Sequence, residues 1–331
     1  MDIRAGNFAT ALRREIAARN REWARERAHV ESYGSDAVVV YEPALCGDGR
    51  VRHGNFYGPA YAAISCRPEW AKRFAKVHTG GRKLPRAESG RKWRELDSCM
   101  SSDALLMNVF STSAGSEATR RMLGVDEGAM AVFGWKAKVP LASGLFDRTE
   151  VDMRWGDLLV EAKLTEGDFQ TRAAKAVEGY RDFDAVFDRE LLPRVEVALV
   201  RRRQTAEFAE EFTQEWEDTA GVAAEEAAAI AGEFHAGLVA EAVERAPREL
   251  RYRSYQLIRN VLAAYAAGAR FCVICDERRP DLREAWFKVM AAVRSAEMRT
   301  RCLMLTWQEL AGVVPAGLRE FLGVKYGIVA G

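Results

Sequence analysis

The sequence predicts an α/β fold, and three observations carry the prediction. Segments of helical periodicity alternate with short apolar runs of strand length. A hairpin signal sits near the middle of the chain at Trp155-Gly156-Asp157. From Ser101 onward the order reads helix, strand, two-stranded hairpin, a later helix and a further strand. At 331 residues and 48% hydrophobic content the chain can bury a substantial core. Its 49 basic and 48 acidic residues nearly cancel, which excludes a globally basic nucleic-acid binder and requires any basic surface to be local.

Taken in order, residues 3 to 28 read as a helix, because Phe8, Leu12, Ile16 and Ala17 recur at helical spacing. Ala37 to Tyr41 reads as a short strand, followed by a turn-rich stretch from Gly47 to Gly58. Basic residues crowd together from Arg67 to Arg94, with Gly80-Gly81 and Pro85 making the middle a loop. Alone, such a run reads as a solvated surface; beside a phosphodiester-cleaving site it becomes a phosphate-tracking arm, with Lys83, Arg86, Arg91 and Lys92 as candidate DNA contacts. Ser101 or Ser102 caps a helix reaching Phe110, and Asn108 on its apolar length is expected to tie the helix to a neighbouring backbone. A strand follows within Ala129 to Val139, and then the hairpin from Thr149 to Glu166.

Val195 to Val200 suits a short strand, and the Ala- and Glu-rich stretch from Thr205 to Arg245 an acidic helical cover that Pro247 ends. A helix from about Ser254 to Ala267 puts Gln256, Arg259 and Asn260 on one face. A strand at Arg270 to Cys275, a helix from Asp281 to about Met298 and a strand at Cys302 to Leu305 follow. Thr306 with Glu309 has capping-box spacing, and Leu318 to Tyr326 reads as a short amphipathic helix. The start of the chain is charged and helix-forming, and no run approaches the ~18 apolar residues of a membrane span, so a soluble, cytoplasmic protein without membrane contact is expected. The six cysteines read as reduced thiols. Cys272 and Cys275 lie in an apolar run and suit small buried hydrophobes; Cys46, His53, Cys66 and His78 match no compact zinc spacing.

The chemistry concentrates in the hairpin. Its second strand carries Glu161 and Lys163 among Leu158, Leu159, Val160, Ala162 and Leu164, two charges where a core wants none. Strand alternation points both the same way, and a paired strand brings Asp152 alongside. Two converging carboxylates make a hard-oxygen site suited to magnesium, with the Ala162 carbonyl as a further ligand and Lys163 placed to hold the attacking water and steady developing charge. The bland alternative is an ordinary buried ion pair of Lys163 with one of the acids.

The order acid, hairpin, Glu161-Ala162-Lys163 resembles the PD-(D/E)xK nuclease superfamily, and this triplet is the chain's only acid-x-lysine. The stretches Ser101 to Phe110, Tyr255 to Asn260 and Thr306 to Leu310 also resemble its restriction-endonuclease-like branch. The resemblance covers roughly Ser101 to Tyr326 and implies an αβββαβ core, a mixed central sheet flanked by helices. On that reading residues 1–100 form an N-terminal extension with a helix and a basic loop region, and residues 101–331 a nuclease-like domain with a helical insertion at about 171–250. The resemblance assigns Asp152, Glu161 and Lys163 to catalysis, makes Gln256 a helix residue bracing the site, and lets Arg259 meet a phosphate; the alternative for the last pair is a helix face salt-bridged to the insertion. Val151 stands where the family often has proline. Glu150 is either a further ligand or a solvated acid, and Glu166 either a second-metal ligand or partner of Lys163, or an exposed acid at the strand end. The implied activity is magnesium-dependent DNA cleavage, with manganese as a substitute metal, leaving 5′-phosphate and 3′-hydroxyl ends in restriction, defence or DNA processing. Double-strand cleavage would call for a homodimer. The competing expectation is a non-catalytic nucleic-acid-binding or assembly protein on the same fold.

Overall fold

Short apolar strands separated by a two-residue turn set up the centre of the molecule. A computed structural model describes residues 3–25, 30–33, 37–42, 52–77, 94–198 and 247–331. Its main sheet contains β1 Ala131–Lys136, β2 Glu150–Trp155, β3 Leu158–Ala162, β4 Arg270–Cys275 and β5 Cys302–Thr306. The order is β5-β4-β3-β2-β1. Trp155 pairs with Leu158 across Gly156-Asp157, and Gly156 has φ +60°, the conformation glycine supplies at the first position of a two-residue hairpin loop. β1, β2 and β3 are antiparallel neighbours, while β4 joins β3 and β5 in parallel. Parallel pairing demands crossovers, and helices supply them.

Among the described residues the helices of seven residues or more are α1 Ile3–Arg25, α2 Gly58–Ser65, α3 Ser102–Phe110, α4 Ser113–Leu123, α5 Tyr255–Ala266, α6 Pro280–Ala291, α7 Trp307–Val313 and α8 Ala316–Tyr326. One face of the sheet packs Met153, Trp155, Val160 and Ile274 against Leu106, Phe110, Trp307 and Leu322. The other packs Leu159, Phe271 and Val273 against Ile258, Val261, Trp286 and Val289. The result is a mixed five-stranded sheet between helical layers. Among the described residues no helix is long and apolar enough to cross a membrane.

Several local expectations hold. Ser101 Oγ accepts the Ala104 N–H at the start of α3, and Thr306 with Glu309 closes a capping box at α7. Asn108 donates to the carbonyls of Asn55 and Ala104, both at 2.8 Å, and accepts the Tyr57 N–H at 2.7 Å, fastening α3 to the chain before α2. Cys66, Cys272, Cys275 and Cys302 are free thiols, and burial raises those of Cys275 and Cys302 to about 12. His53 is committed to Asp97 at 3.0 Å, whereas Cys46 and His78 lie outside the described residues.

Other expectations change. The helix expected from Asp281 to Met298 stops at Ala291, because Val293 bridges to Phe187 and Ser295 caps a separate turn, Ala296–Thr300. Helices α2 and α4 were not anticipated. The strand expected at Val195 to Val200 is Arg194–Ala198, paired antiparallel with Arg248–Tyr252, which in turn pairs with Arg172–Ala173. The Ala/Glu-rich helix expected between them at 205 to 245 lies outside the described residues, as do Lys83, Arg86, Arg91 and Lys92.

The N-terminal extension is built into the main core. Leu12 and Ile16 of α1, together with Phe56, Ile64 and Trp70, join the cluster beneath the sheet. Lys325 of α8 donates to Asn20 at 2.5 Å, and Trp23 meets Phe321 edge to face at 5.7 Å. Ile16→Ala should therefore destabilise the whole protein by about 2–5 kcal/mol, as large-to-small changes in buried cores do. Urea unfolding followed by tryptophan fluorescence checks this; a midpoint matching wild type would detach α1 from the core.

Candidate functional site

Gly134 breaks the regularity on which the site depends. It stands in register opposite Asp152, between the pairs Phe133–Met153 and Trp135–Val151, and the ladder skips it. Its φ of +67° reverses the pleat: Phe133 faces one core and Trp135 the other. A Cβ there would collide with Arg73 Nη1 and approach the Glu150 carboxyl carbon to 2.8 Å, so glycine is required on steric as well as conformational grounds.

On its other edge β2 parts from β3. The register pairs Met153 with Val160, which puts Val151 opposite Ala162 and Asp152 opposite Glu161 one step on. The Ala162 N–H, however, donates to Asp152 Oδ2 at 2.8 Å. Among the described residues Asp152 Oδ1 has no hydrogen-bond partner, leaving an acceptor at the splayed strand ends. Glu161, on the α5 side, accepts from Lys163 Nζ at 2.7 Å through Oε1 and from Asn260 Nδ2 at 2.8 Å through Oε2. Glu161 and Lys163 are both buried. The structure thus brings together Asp152, Ala162, Glu161 and Lys163 as the sequence suggested.

Electrostatics at this end of the sheet are dominated by surplus negative charge. Burial, reinforced by Glu161 and then Asp103, holds the Asp152 carboxyl well above the usual range. Burial alone would lower Lys163, but Glu161, Glu166 and Asp152 outweigh it and hold the ammonium above the ordinary lysine value. Lys163 is therefore a fixed positive charge. Its backbone is fixed too. The N–H donates to Ile274 O at 2.8 Å, and Trp307 Nε1 donates to its carbonyl at 2.9 Å. Beyond it, Arg13 takes the Thr165 carbonyl at 3.1 Å, and the buried Arg279 takes those of Leu164, Glu166 and Gly167 at 3.4, 2.7 and 3.1 Å.

The remaining candidates resolve as follows. Glu166 accepts from Ser102 Oγ and from the Leu164 N–H, both at 2.6 Å, and acts as a local clasp rather than a partner of Lys163. Glu150 is held by Arg73 Nη1 at 2.6 Å. Among the described residues Gln256 makes no hydrogen bond to the trio and its buried Oε1 has no partner, while Asn260, one turn along, hydrogen-bonds Glu161. The expectation that Arg259 meets a phosphate is corrected: the side chain is 3% exposed, donates through Nε and Nη2 to Asn260, and reaches the Glu150 carbonyl at 3.0 Å. Its work is to orient Asn260.

Sequence reasoning missed Arg73, Asp103 and Asn260 as parts of this site. Asp103 accepts from Arg73 Nη2 at 2.5 Å and Lys76 Nζ at 2.9 Å in the first turn of α3. Burial opposes charge on Arg73, but Asp103 and Glu150 overcome it and raise its pKa. Only the shared helix face of Gln256, Arg259 and Asn260 gave a signal; nothing distinguished Arg73 within a run of basic residues.

The arrangement suits a divalent cation in one respect: a half-buried carboxylate with a free oxygen faces a second acid, and one lysine does not balance them. Among the described residues no group of three or more His, Cys, Asp and Glu side chains is gathered to hold a metal. Magnesium, which keeps several waters, needs only one or two carboxylates. The donor set therefore fits magnesium with retained water and does not fit a closed all-protein cage.

The sequence pattern of the family described as restriction endonuclease associating with ARP matches residues 17–327. The match extends into the first hundred residues, beyond the coverage expected from the hairpin resemblance. No curated protein and no solved structure matches the chain.

A raised carboxyl pKa has a definite sign. A carboxylate whose folded pKa lies above its unfolded value costs stability that grows as pH rises from about 3.9 through the folded pKa. Asp152→Asn keeps an oxygen for the Ala162 N–H and removes the charge. It should raise the melting temperature of chelator-treated protein at pH 7, with the gain shrinking as pH approaches 4. Differential scanning calorimetry across that range checks this, and a lower melting temperature at pH 7 would refute it.

Proposed function

The chain belongs to the family described as restriction endonuclease associating with ARP, and on that premise we propose that it is a magnesium-dependent endonuclease that hydrolyses DNA phosphodiester bonds on a restriction-endonuclease-like αβββαβ core. The observation that carries the reading is the buried Glu161–Lys163 pair beside Asp152, whose carboxyl is crowded by like charge and keeps one oxygen unbonded. A structural ion pair would not need the second acid.

Asp152, Glu161 and the Ala162 carbonyl would hold magnesium, whose charge on binding would polarise the scissile phosphate and offset negative charge developing on its oxygens. The protein's own groups do the rest. Asn260, itself held by Arg259, fixes Glu161 Oε2 and so sets the carboxylate plane. Glu161 Oε1 holds the Lys163 ammonium, which remains protonated and enters as a donor and point charge for water or phosphate oxygen. Arg73 and Lys76 engage Asp103 and Glu150, so that neighbouring acids add less repulsion against a polyanionic substrate. A single site of this kind cuts one strand, and double-strand cleavage would use two subunits. The same family membership supports action alongside the ARP of the family's description.

Asp152→Ala, Glu161→Ala and Lys163→Ala should each abolish magnesium-dependent cleavage of duplex DNA while the protein remains folded by circular dichroism. Asn260→Ala should slow cleavage by about tenfold to a hundredfold, the usual cost of removing the group that orients a metal ligand. Products are expected to carry 5′-phosphate and 3′-hydroxyl ends, read by ligation and kinase labelling. Cleavage at the wild-type rate by any member of the trio would refute the mechanism.

A further inference from the structure

The strand ends bearing Asp152 and Glu161 also launch a hairpin that plays no part in the site. Lys136, the last residue of β1, pairs with Glu150, the first of β2. Everything between them therefore projects from the sheet end that carries the acids. Within it Val139–Pro140 pairs antiparallel with Phe146–Asp147. The turn is closed by Leu141 N–H to Leu145 O at 2.9 Å and Gly144 N–H to Leu141 O at 3.0 Å, with Gly144 at φ +82°. Its first strand is anchored as far as the turn: Val139 is buried, Arg181 N–H donates to Pro140 O, Leu141 bridges to Tyr180 and Ala142 N–H donates to Gly179 O, which leaves the 145–146 side uncovered by these contacts. Tyr180 Oη donates to Asp147 Oδ2.

On this braced support Leu145 is 68% exposed and Phe146 49% exposed. Single exposed apolar residues are ordinary. Two in succession beside a fixed turn leave apolar surface in water that nothing in the described chain covers. Around them Lys136, Lys138 and Arg148 are exposed, and none forms an ion pair with a described residue. Arg73, Lys76 and Arg270, by contrast, are neutralised by acids. Free cations flanking an apolar tip complement duplex DNA: phosphates take the charges, and an apolar side chain enters between unstacked base pairs. The hairpin leaves from the sheet end that carries Asp152 and Glu161, which favours the nucleic acid those residues would face over an acidic protein partner.

We propose that the 139–147 hairpin is a DNA-distorting wedge, with Leu145 and Phe146 inserting at a base step and Lys136, Lys138 and Arg148 holding the flanking phosphates. The inference rests on the nucleic-acid reading above but not on catalysis. An inserted side chain costs unstacking energy, which the phosphate contacts offset by holding more DNA surface against the protein. The distorted step would lie beside Asp152 and Glu161.

The test uses the full chain in EDTA, so that no strand is cut, with a duplex carrying 2-aminopurine, whose fluorescence rises on unstacking. Wild type should bind and raise the fluorescence. Leu145→Ser combined with Phe146→Ser should keep the salt dependence of binding yet lose most of the rise. Changing Lys136, Lys138 and Arg148 together to Gln should weaken binding and flatten the log–log salt slope by about 1 to 3, given roughly 0.9 per phosphate contact. No binding by wild type, unstacking by the serine variant equal to wild type, or an unchanged slope in the glutamine variant would each overturn the wedge. Unstacking without any cleavage after magnesium is restored would uphold the wedge while defeating the nuclease reading. Cleavage together with undiminished unstacking by the serine variant would do the reverse.

Discussion

The Ala162 N–H donates to the Asp152 side chain, and that substitution of a carboxylate for a strand carbonyl organises the rest of the site. A continued β2–β3 ladder would have given the N–H to the neighbouring strand and left Asp152 and Glu161 as a like-charged cross-strand pair, an arrangement that sheets disfavour. Parting the strands lets one carboxylate oxygen serve as the missing acceptor while the other stays unbonded. Gly134 enables this from the opposite edge, because its left-handed backbone reverses the pleat and opens the space through which Arg73 reaches Asp103 and Glu150. Placing a side chain at Gly134 would strain the backbone and displace the guanidinium together.

Charge balance explains why so many cations are buried around that parting. Arg73 spans Asp103 and Glu150, Lys163 answers Glu161, and Arg259 acts at one remove through Asn260. Buried ion pairs contribute little net stability because desolvation cancels much of their attraction, yet removing one partner costs about 3–5 kcal/mol. Such a network is poorly suited to stiffening a core and well suited to holding carboxylates at fixed positions. Burial, with Glu161 and then Asp103 adding like charge, pushes the Asp152 carboxyl upward.

Much of this was legible in the sequence, and the limits are physical. Local signals carried through: the Ser101 cap, the Thr306–Glu309 box, the Gly156 turn and the pairing role of Asn108 all depend on residues close in sequence or on one buried amide. Glu161 and Lys163 were conspicuous because charge stood inside an apolar strand. Arg73 was not, because a cation among many cations has no local pattern; its meaning comes from Asp103 and Glu150, 30 and 77 residues away. Helical spacing placed Gln256, Arg259 and Asn260 on one face but could not rank them. The depth of α5 against β3 decides that Asn260 meets Glu161 and that Arg259 is enclosed. The break of the helix after Ala291 likewise follows from a distant bridge, Val293 to Phe187.

The carbonyls from Lys163 to Gly167 are taken by side chains from three separate parts of the chain, Arg13 in α1, Arg279 before α6 and Trp307 at the start of α7. Trp307 lies 144 residues after the lysine whose carbonyl it holds. The segment that carries the fixed positive charge is therefore among the longest-range products of the fold, and a chain emerging from the ribosome has its acids in hand well before it can hold that lysine in position. The lysine's carbonyl gains its donor only once the last strand and the start of α7 are in place, so that a chain truncated before Trp307 is an incomplete site as well as an incomplete fold.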